Sequence, residues 1–356
     1  MKALIAAGGH ATRLRPITAT TNKHLIPLAG RPMIFYALDK VTEAGIKDIA
    51  INVNPGDRSV ERAVGDGSRW GARVAYIEQL GGPLGLAHIV KTARPFLGEE
   101  PFVFYLGDNI VLGSIRRFVE KFQSGGHNAL LALAKVPDPE RFGVPEIRDG
   151  KIVRVDEKPV HPKSDFAVTG IYFYDSDIFK AVDAVRPSAR GEYEISDAHT
   201  WLIEHGYSVG YEEITGWWKD TGKPEDLLLG NRLLLDEALA SGAANRGRVH
   251  ESATLVGKIR VGRGTVIGEK TTIHGPVWIG EDCVLENASI GPYTSLGNRV
   301  TIKKTELAGS IVFDDARLEA GGRVAGSLIG YGAQVVGDAG ASEHKMIIGD
   351  NSVVEI

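Results

Sequence analysis

The chain is nearly without cysteine, holding one, Cys283, in 356 residues. A lone thiol cannot close an intrachain disulfide, and this composition suits a reducing cytoplasm. Long apolar runs are missing as well. The first one ends at Ala7, breaks into Gly8-Gly9, and is too short for a signal core or a membrane span. There is no excess of positive charge: 41 Lys and Arg against 45 Asp and Glu leave a net −4, which excludes a basic nucleic-acid surface. The sequence has no G-x-x-x-x-G-K-[ST] phosphate loop, and Gly8-Gly9 lacks the third glycine of a dinucleotide fingerprint. It shows no H-E-x-x-H helix, no cysteine-rich metal spacing, and no Ser-His-Asp or Cys-His relay.

What is present begins in residues 3–27. A short apolar strand delivers Gly8-Gly9, and Arg13, Arg15 and Lys23 follow closely. Main-chain N–H groups can approach a polyanion where side chains are absent, and nearby fixed cations offset its charge. A tight βα turn with surface cations is equally compatible with this stretch alone. His10 lies inside the turn, where a structural or solvent-facing role is the ordinary expectation.

A chain of this length supports two domains. Up to about residue 130 strands alternate with amphipathic helices, which predicts βα units and a mainly parallel, Rossmann-like sheet. Pro32 opens a helix with Ile34, Ala37, Leu38 and Val41 on one face, closed at Gly45. Residues 47–54, 73–79 and 101–106 read as strands and 86–96 as a helix. The last of these strands runs into Gly107-Asp108-Asn109. Ligands of open α/β sheets sit beyond the carboxyl ends of the strands, where both Gly8-Gly9 and Asp108 fall. Residues 128–222 read as a mixed, less regular part of the same domain, with a hairpin at 145–155. The leucine-rich helix 224–240 is either a connector or the last packing helix of that domain.

Beyond it the period becomes six. Val249, Leu255, Val261, Ile267, Ile273, Ile279 and Leu285 keep strict spacing, with mostly small residues four positions later. This predicts a left-handed parallel β-helix, one aliphatic residue stacking per short strand. The register slips at Ile290 and continues less regularly through Ile311, Leu318, Val324 and Ile329. About five coils over 247–340 and a capping tail are expected. The domain boundaries so read are 1–240 and 241–356.

Asp108 and Asp220, the latter in Trp217-Trp218-Lys219-Asp220-Thr221-Gly222, are candidate Mg²⁺ ligands, since this ion takes one or two carboxylates together with substrate phosphates. Turn or cap roles serve for either aspartate taken singly. Lys158 and Arg190 add loop cations, and Glu157 is an acceptor suited to a sugar hydroxyl.

Taken in order, these motifs resemble the sugar-1-phosphate nucleotidylyltransferases over the first 235 or so residues. The resemblance rests on Ala7-Gly8-Gly9-His10-Ala11-Thr12-Arg13-Leu14-Arg15-Pro16, Lys23 to Pro27, Gln79 with Pro83-Leu84-Gly85-Leu86-Ala87, and Leu106-Gly107-Asp108-Asn109. It continues through Phe142-Gly143-Val144, Glu157-Lys158-Pro159, Val168-Thr169-Gly170, Ser188 to Glu192, and Trp218 to Gly222. The hexads and the closing Ile348-Gly349-Asp350-Asn351-Ser352 look like the longer form of such enzymes.

The resemblance implies a reaction of dTTP with glucose 1-phosphate, giving dTDP-glucose and pyrophosphate, with Mg²⁺ as cofactor. It places Gly8 and Gly9 against the nucleoside, Arg13 and Lys23 on the triphosphate, and Gln79 and Gly85 at the pyrimidine edge. Asp108 and Asp220 would bind Mg²⁺, with Gly143, Glu157 and Val168 lining the sugar pocket and Lys158 and Arg190 holding the sugar phosphate. Arg13, Lys23, Asp108, Lys158 and Asp220 form the expected catalytic set. Two departures from the family pattern stand out: Ala11 where glycine is usual, and a Gln79-to-Gly85 spacing one residue longer.

Three alternatives accompany this reading. The first is the same chemistry with UTP, giving UDP-glucose or UDP-N-acetylglucosamine, because thymine and uracil share one hydrogen-bonding edge. A regulatory, non-catalytic nucleotide-sugar binder is the second, opposed by the presence of both aspartates and Lys23. The third adds acyl transfer by His250 or His274 in the β-helix, opposed by the lack of a protruding loop or basic tail for coenzyme A. The expected partners are small molecules, without nucleic acid or membrane. Flat solenoid faces suit homo-oligomers, and a monomer, a trimer and a tetramer all fit.

Overall fold

The computed structural model describes residues 1–240, 242, 244–338, 340 and 342–356. It comprises two compact units: Met1–His10 with Ile34–Asp220, and Ala11–Met33 with Thr221–Ile356. The stretch expected to be catalytic therefore contributes to both.

The first unit is built on a nine-stranded sheet. Lys2–Ala6 pairs in parallel with Asp48–Val53 and with Phe102–Leu106, and Asp48–Val53 pairs in parallel with Arg73–Glu78. Ala3, Leu4 and Ile5 are fully buried, as are Phe102 to Tyr105, because a central parallel strand is covered on both faces. Each such large side chain removed from water contributes about 1.5–3 kcal/mol. The helix Met33–Glu43 follows Pro32 and buries Ile34, Ala37, Leu38 and Val41, the face its spacing predicts.

From residue 129 on, the sheet is mixed. Phe166–Tyr174 runs antiparallel to Phe102–Leu106 and to Ala129–Lys135, and Val209–Glu213 adds in parallel to the latter. Gly143–Arg148 and Lys151–Glu157 form the expected hairpin, turned at Asp149-Gly150.

In the second unit the six-residue period folds as three parallel sheets of seven, seven and six short strands. Buried Ile267, Leu285, Ile302, Leu318 and Val335 stack in one column, each the register partner of the next. Leu255, Ile273, Ile290, Leu307 and Val324 form a second. The third column runs Val261, Ile279, Leu296, Val312, Ile329 and Ile348.

The slip at Ile290 is a shortened coil: Thr254 stands opposite Thr272, eighteen residues on, whereas Thr272 stands opposite Ser289, seventeen on. Two expectations are corrected. Val312 rather than Ile311 occupies the stacking column, and the coils run on to Val353–Glu355, so the segment taken for a capping tail is itself a rung. Small residues turn the corners as predicted: Thr265 Oγ1 donates to Gly280 O at 2.8 Å and the buried Cys283 Sγ to Gly297 O at 3.1 Å.

The leucine-rich helix, Pro224–Ala238, belongs to this second unit. Its Asn231 side chain accepts hydrogen bonds from Ala29 N–H and Ser295 Oγ. Among the described residues no helix is long and apolar enough to cross a membrane.

Candidate active site

The parallel strands end on one side of their sheet, and there the chain turns at Gly8-Gly9, Asn54, Gln79 and Gly107-Asp108. Asn54 clamps the glycine turn with a reciprocal pair of bonds. Its Oδ1 accepts the Gly9 N–H at 2.8 Å and its Nδ2 donates to Gly9 O at 3.0 Å. Sequence reading missed Asn54, whose only signal is its place just past a strand, before Pro55.

Gln79 and Gly85 are brought together despite their longer spacing. The buried Gln79 amide donates to Gly85 O at 3.2 Å, which joins the two residues across the loop 80–84. Gly85 has φ +98°, and a Cβ there would lie 2.6 Å from Tyr193 O. Only glycine fits both conditions. Tyr193 N–H donates to Leu84 O and Ala87 N–H to Tyr193 O, which ties the Gln79–Gly85 loop to the loop carrying Arg190.

Strand pairing brings the two aspartates to neighbouring register positions. Asn109–Val111 pairs antiparallel with Trp218–Asp220, and the register sets Asp220 opposite Asn109, next to Asp108. Asn109, buried, is the hub: its Nδ2 donates to Asp108 Oδ1 at 2.8 Å, while its Oδ1 accepts from the Trp218 indole at 2.6 Å and from Gly170 N–H at 3.3 Å. The buried Tyr172 hydroxyl is pushed far above its ordinary pKa, first by burial and then by the charges of Glu157, Asp108 and Asp220.

Gly143 stands opposite Glu157 on one side and Val168 on the other, joining the three residues assigned to a sugar pocket. Glu157 lies between cations, with Oε1 at 3.2 Å from Lys158 Nζ and 3.4 Å from Arg190 Nη2, and its Oε2 accepts from Ser196 Oγ at 2.8 Å. Lys158 takes a left-handed φ of 46°, a conformation costly for a residue with a Cβ and concentrated at functional sites. Arg190 is held by Glu194, whose Oε1 lies 2.8 Å from Nη2 and 3.1 Å from Nε. Partial burial works against the guanidinium charge, but Glu194, Glu192 and Glu157 outweigh it and raise its pKa. Glu194 is buried and also went unread; its signal is the four-residue spacing from Arg190.

Arg13 and Lys23 lie in the other unit, on Ala11–Met33. Arg13 is exposed, and Lys23 is half-buried at the head of a short turn whose preceding residue, Asn22, accepts the His24 N–H at 2.9 Å. Ala11 has φ 43° and ψ 43°, which is why glycine is the usual residue at that point. His10 is exposed. In the β-helix, His250 faces Ser252 Oγ at 2.9 Å.

This site and sheet define a nucleotidyltransferase, and the chain belongs to the nucleotidyl transferase family, whose model matches residues 2–237. A glucose-1-phosphate thymidylyltransferase of Streptomyces griseus is 42% identical over 100% of this chain and 99% of its own length. The low-salt glycan biosynthesis nucleotidyltransferase Agl11 of Haloferax volcanii is 37% identical over the full length of both chains. A Bacillus anthracis crystal structure with bound sucrose is 41% identical, with TM-score 0.62, covering 65% of this chain and 94% of that one. Enzymes of this family generally use a divalent metal.

Proposed function

We propose that this protein transfers a thymidylyl group from dTTP to glucose 1-phosphate, releasing pyrophosphate and forming dTDP-glucose. The observation that carries the reading is the register that sets Asp220 beside Asp108, within one unit that also joins Gln79 to Gly85 and Gly143 to Glu157 and Val168. The relatives of matching length agree with it.

The sugar phosphate is already an anion, so its oxygen attacks the α-phosphorus in line with the departing pyrophosphate without a general base. The obstacle is charge: two unit charges at about 4 Å repel by roughly 4 kcal/mol at an effective dielectric of 20. Arg13 and Lys23 take up triphosphate charge, and Lys158 with Arg190 aims the attacking phosphate. Gly8 and Gly9 admit the nucleoside, Gln79 and Gly85 read the pyrimidine edge, and Gly143, Glu157 and Val168 hold the sugar. Catalysis is then chiefly positioning and electrostatic stabilisation.

The metal is Mg²⁺. Two aspartates brought to neighbouring register positions suit an ion that completes its shell from phosphates and water. Asp108 and Asp220 would hold it, and when bound it neutralises phosphate charge.

Pyrophosphate release measured for dTTP and UTP with glucose 1-phosphate and N-acetylglucosamine 1-phosphate tests the proposal. The highest kcat/KM is expected for dTTP with glucose 1-phosphate. Preference for UTP would overturn the base assignment, and nucleotide-sugar binding without turnover would make the protein a binder.

A further inference from the structure

The segment expected to bind the triphosphate is built into the β-helix unit. Ala11–Met33 contains only short turns and a pair of two-residue strands, so its shape depends on what it packs against. Its middle is fastened to the closing coil. Thr20 Oγ1 donates to Asp350 Oδ2 at 2.5 Å, and Thr21 Oγ1 donates to the same oxygen at 2.9 Å. The other carboxylate oxygen accepts Tyr331 N–H at 2.9 Å, which ties Asp350 to the preceding coil. Gly349 lies beneath Pro16, where a Cβ would come within 3.2 Å of the proline Cβ. Ile348, next in line, is buried on Ile329 in the stacked column.

The far end of the segment has its own anchor. Ala29 N–H donates to Asn231 Oδ1 at 2.8 Å, and Ser295 Oγ of the β-helix donates to that same oxygen at 2.7 Å. Gly30 lies so close to Trp278 that a Cβ would fall 1.9 Å from the indole Nε1.

We propose that Asp350 is a positioning residue: by holding Thr20 and Thr21 it sets the conformation of the segment that presents Arg13 and Lys23, and so makes the last coil of the β-helix part of the nucleotide-binding apparatus. This rests on the reading that Arg13 and Lys23 bind the triphosphate. A charged acceptor taking two hydroxyl donors makes short, strong bonds, and supports of this kind decide whether a site is held to within a fraction of an ångström. Displacement of a binding group by about 1 Å can cost on the order of 100-fold in rate.

The test uses the full chain with Thr20→Val and Thr21→Val together, which leaves the Asp350–Tyr331 bond intact, and separately Asp350→Ala. Both are expected to raise KM for dTTP about tenfold and leave KM for glucose 1-phosphate within about twofold, with faster amide exchange in residues 11–33 and unchanged exchange in the β-helix columns. Combining the changes should do no more than Asp350→Ala alone, because the threonine bonds are among those that Asp350→Ala already removes. Thr20→Ser with Thr21→Ser should restore wild-type values. Unchanged exchange in 11–33, or equal effects on both substrates, would overturn the proposal. If the wild-type protein releases no pyrophosphate from these substrates, the reaction reading has failed, and the exchange measurement alone still decides the role of Asp350.

Discussion

Arg190 Nη2 lies 2.8 Å from Glu194 Oε1, and that same oxygen accepts the Ser188 hydroxyl at 2.8 Å. The arginine expected to meet the sugar phosphate is thus oriented from behind by a buried carboxylate. Glu194→Gln keeps the shape and removes the charge. It should raise KM for glucose 1-phosphate about tenfold while KM for dTTP changes little, since lost orientation of a phosphate clamp appears in binding of that substrate. Equal effects on both substrates would mean that Glu194 serves the fold rather than Arg190.

Asp108→Asn and Asp220→Asn should each lower kcat at least about tenfold with little change in thermal melting, because both carboxylates are half-buried polar groups at strand ends rather than core. Lys23→Ala should do the same. Steady-state kinetics with circular dichroism melts checks this, and a near-wild-type rate for Asp108→Asn in Mg²⁺ would remove the metal assignment.

Gly85→Ala meets two obstacles at once: the positive φ and the 2.6 Å approach to Tyr193 O. The alanine variant should open the Leu84–Tyr193 pairing and weaken nucleotide binding by about tenfold or more, read by titration with dTTP. Unaltered affinity would show that the base is not read here.

His199 is fully buried, with Nε2 at 2.6 Å from the Tyr174 hydroxyl, and burial lowers its pKa to about 3. The unfolded chain would bind a proton near pH 6.5, so between those values the unfolded state holds more protons and folding weakens as pH falls. The loss should approach about 1.4 kcal/mol per pH unit below pH 6. Urea unfolding at pH 7.5 and pH 5.0 should show this for the wild type and a shallower dependence for His199→Phe. Identical slopes would discard the assignment.

Legibility in the sequence followed the range of the forces involved. The hexads named Ile267, Leu285, Ile302 and Leu318 correctly because one stacked residue per rung is a local requirement repeated along the chain. Ile311 was misplaced because coil length varies. Ser295 stands opposite Ile311, sixteen residues on, and only the pairing reveals which neighbour points inward. Asn54 and Glu194 were silent and Asn109 stood in its motif without a role, since asparagine beyond a strand and glutamate on a loop have ordinary structural uses. Their roles arise from partners brought close by the fold.

The sequence by itself determined the alternating α/β pattern, the glycine turn at a strand end, the period of six, and the order of motifs that marks the family. These depend on side-chain periodicity and turn chemistry acting over a few residues. Only the tertiary structure decided that Asp220 stands opposite Asn109, next to Asp108, that Gln79 reaches Gly85, and that Thr20 and Thr21 rest on Asp350. Such relationships join residues separated by up to 330 positions. They are set by the packing of whole elements, which local patterns in the chain do not encode.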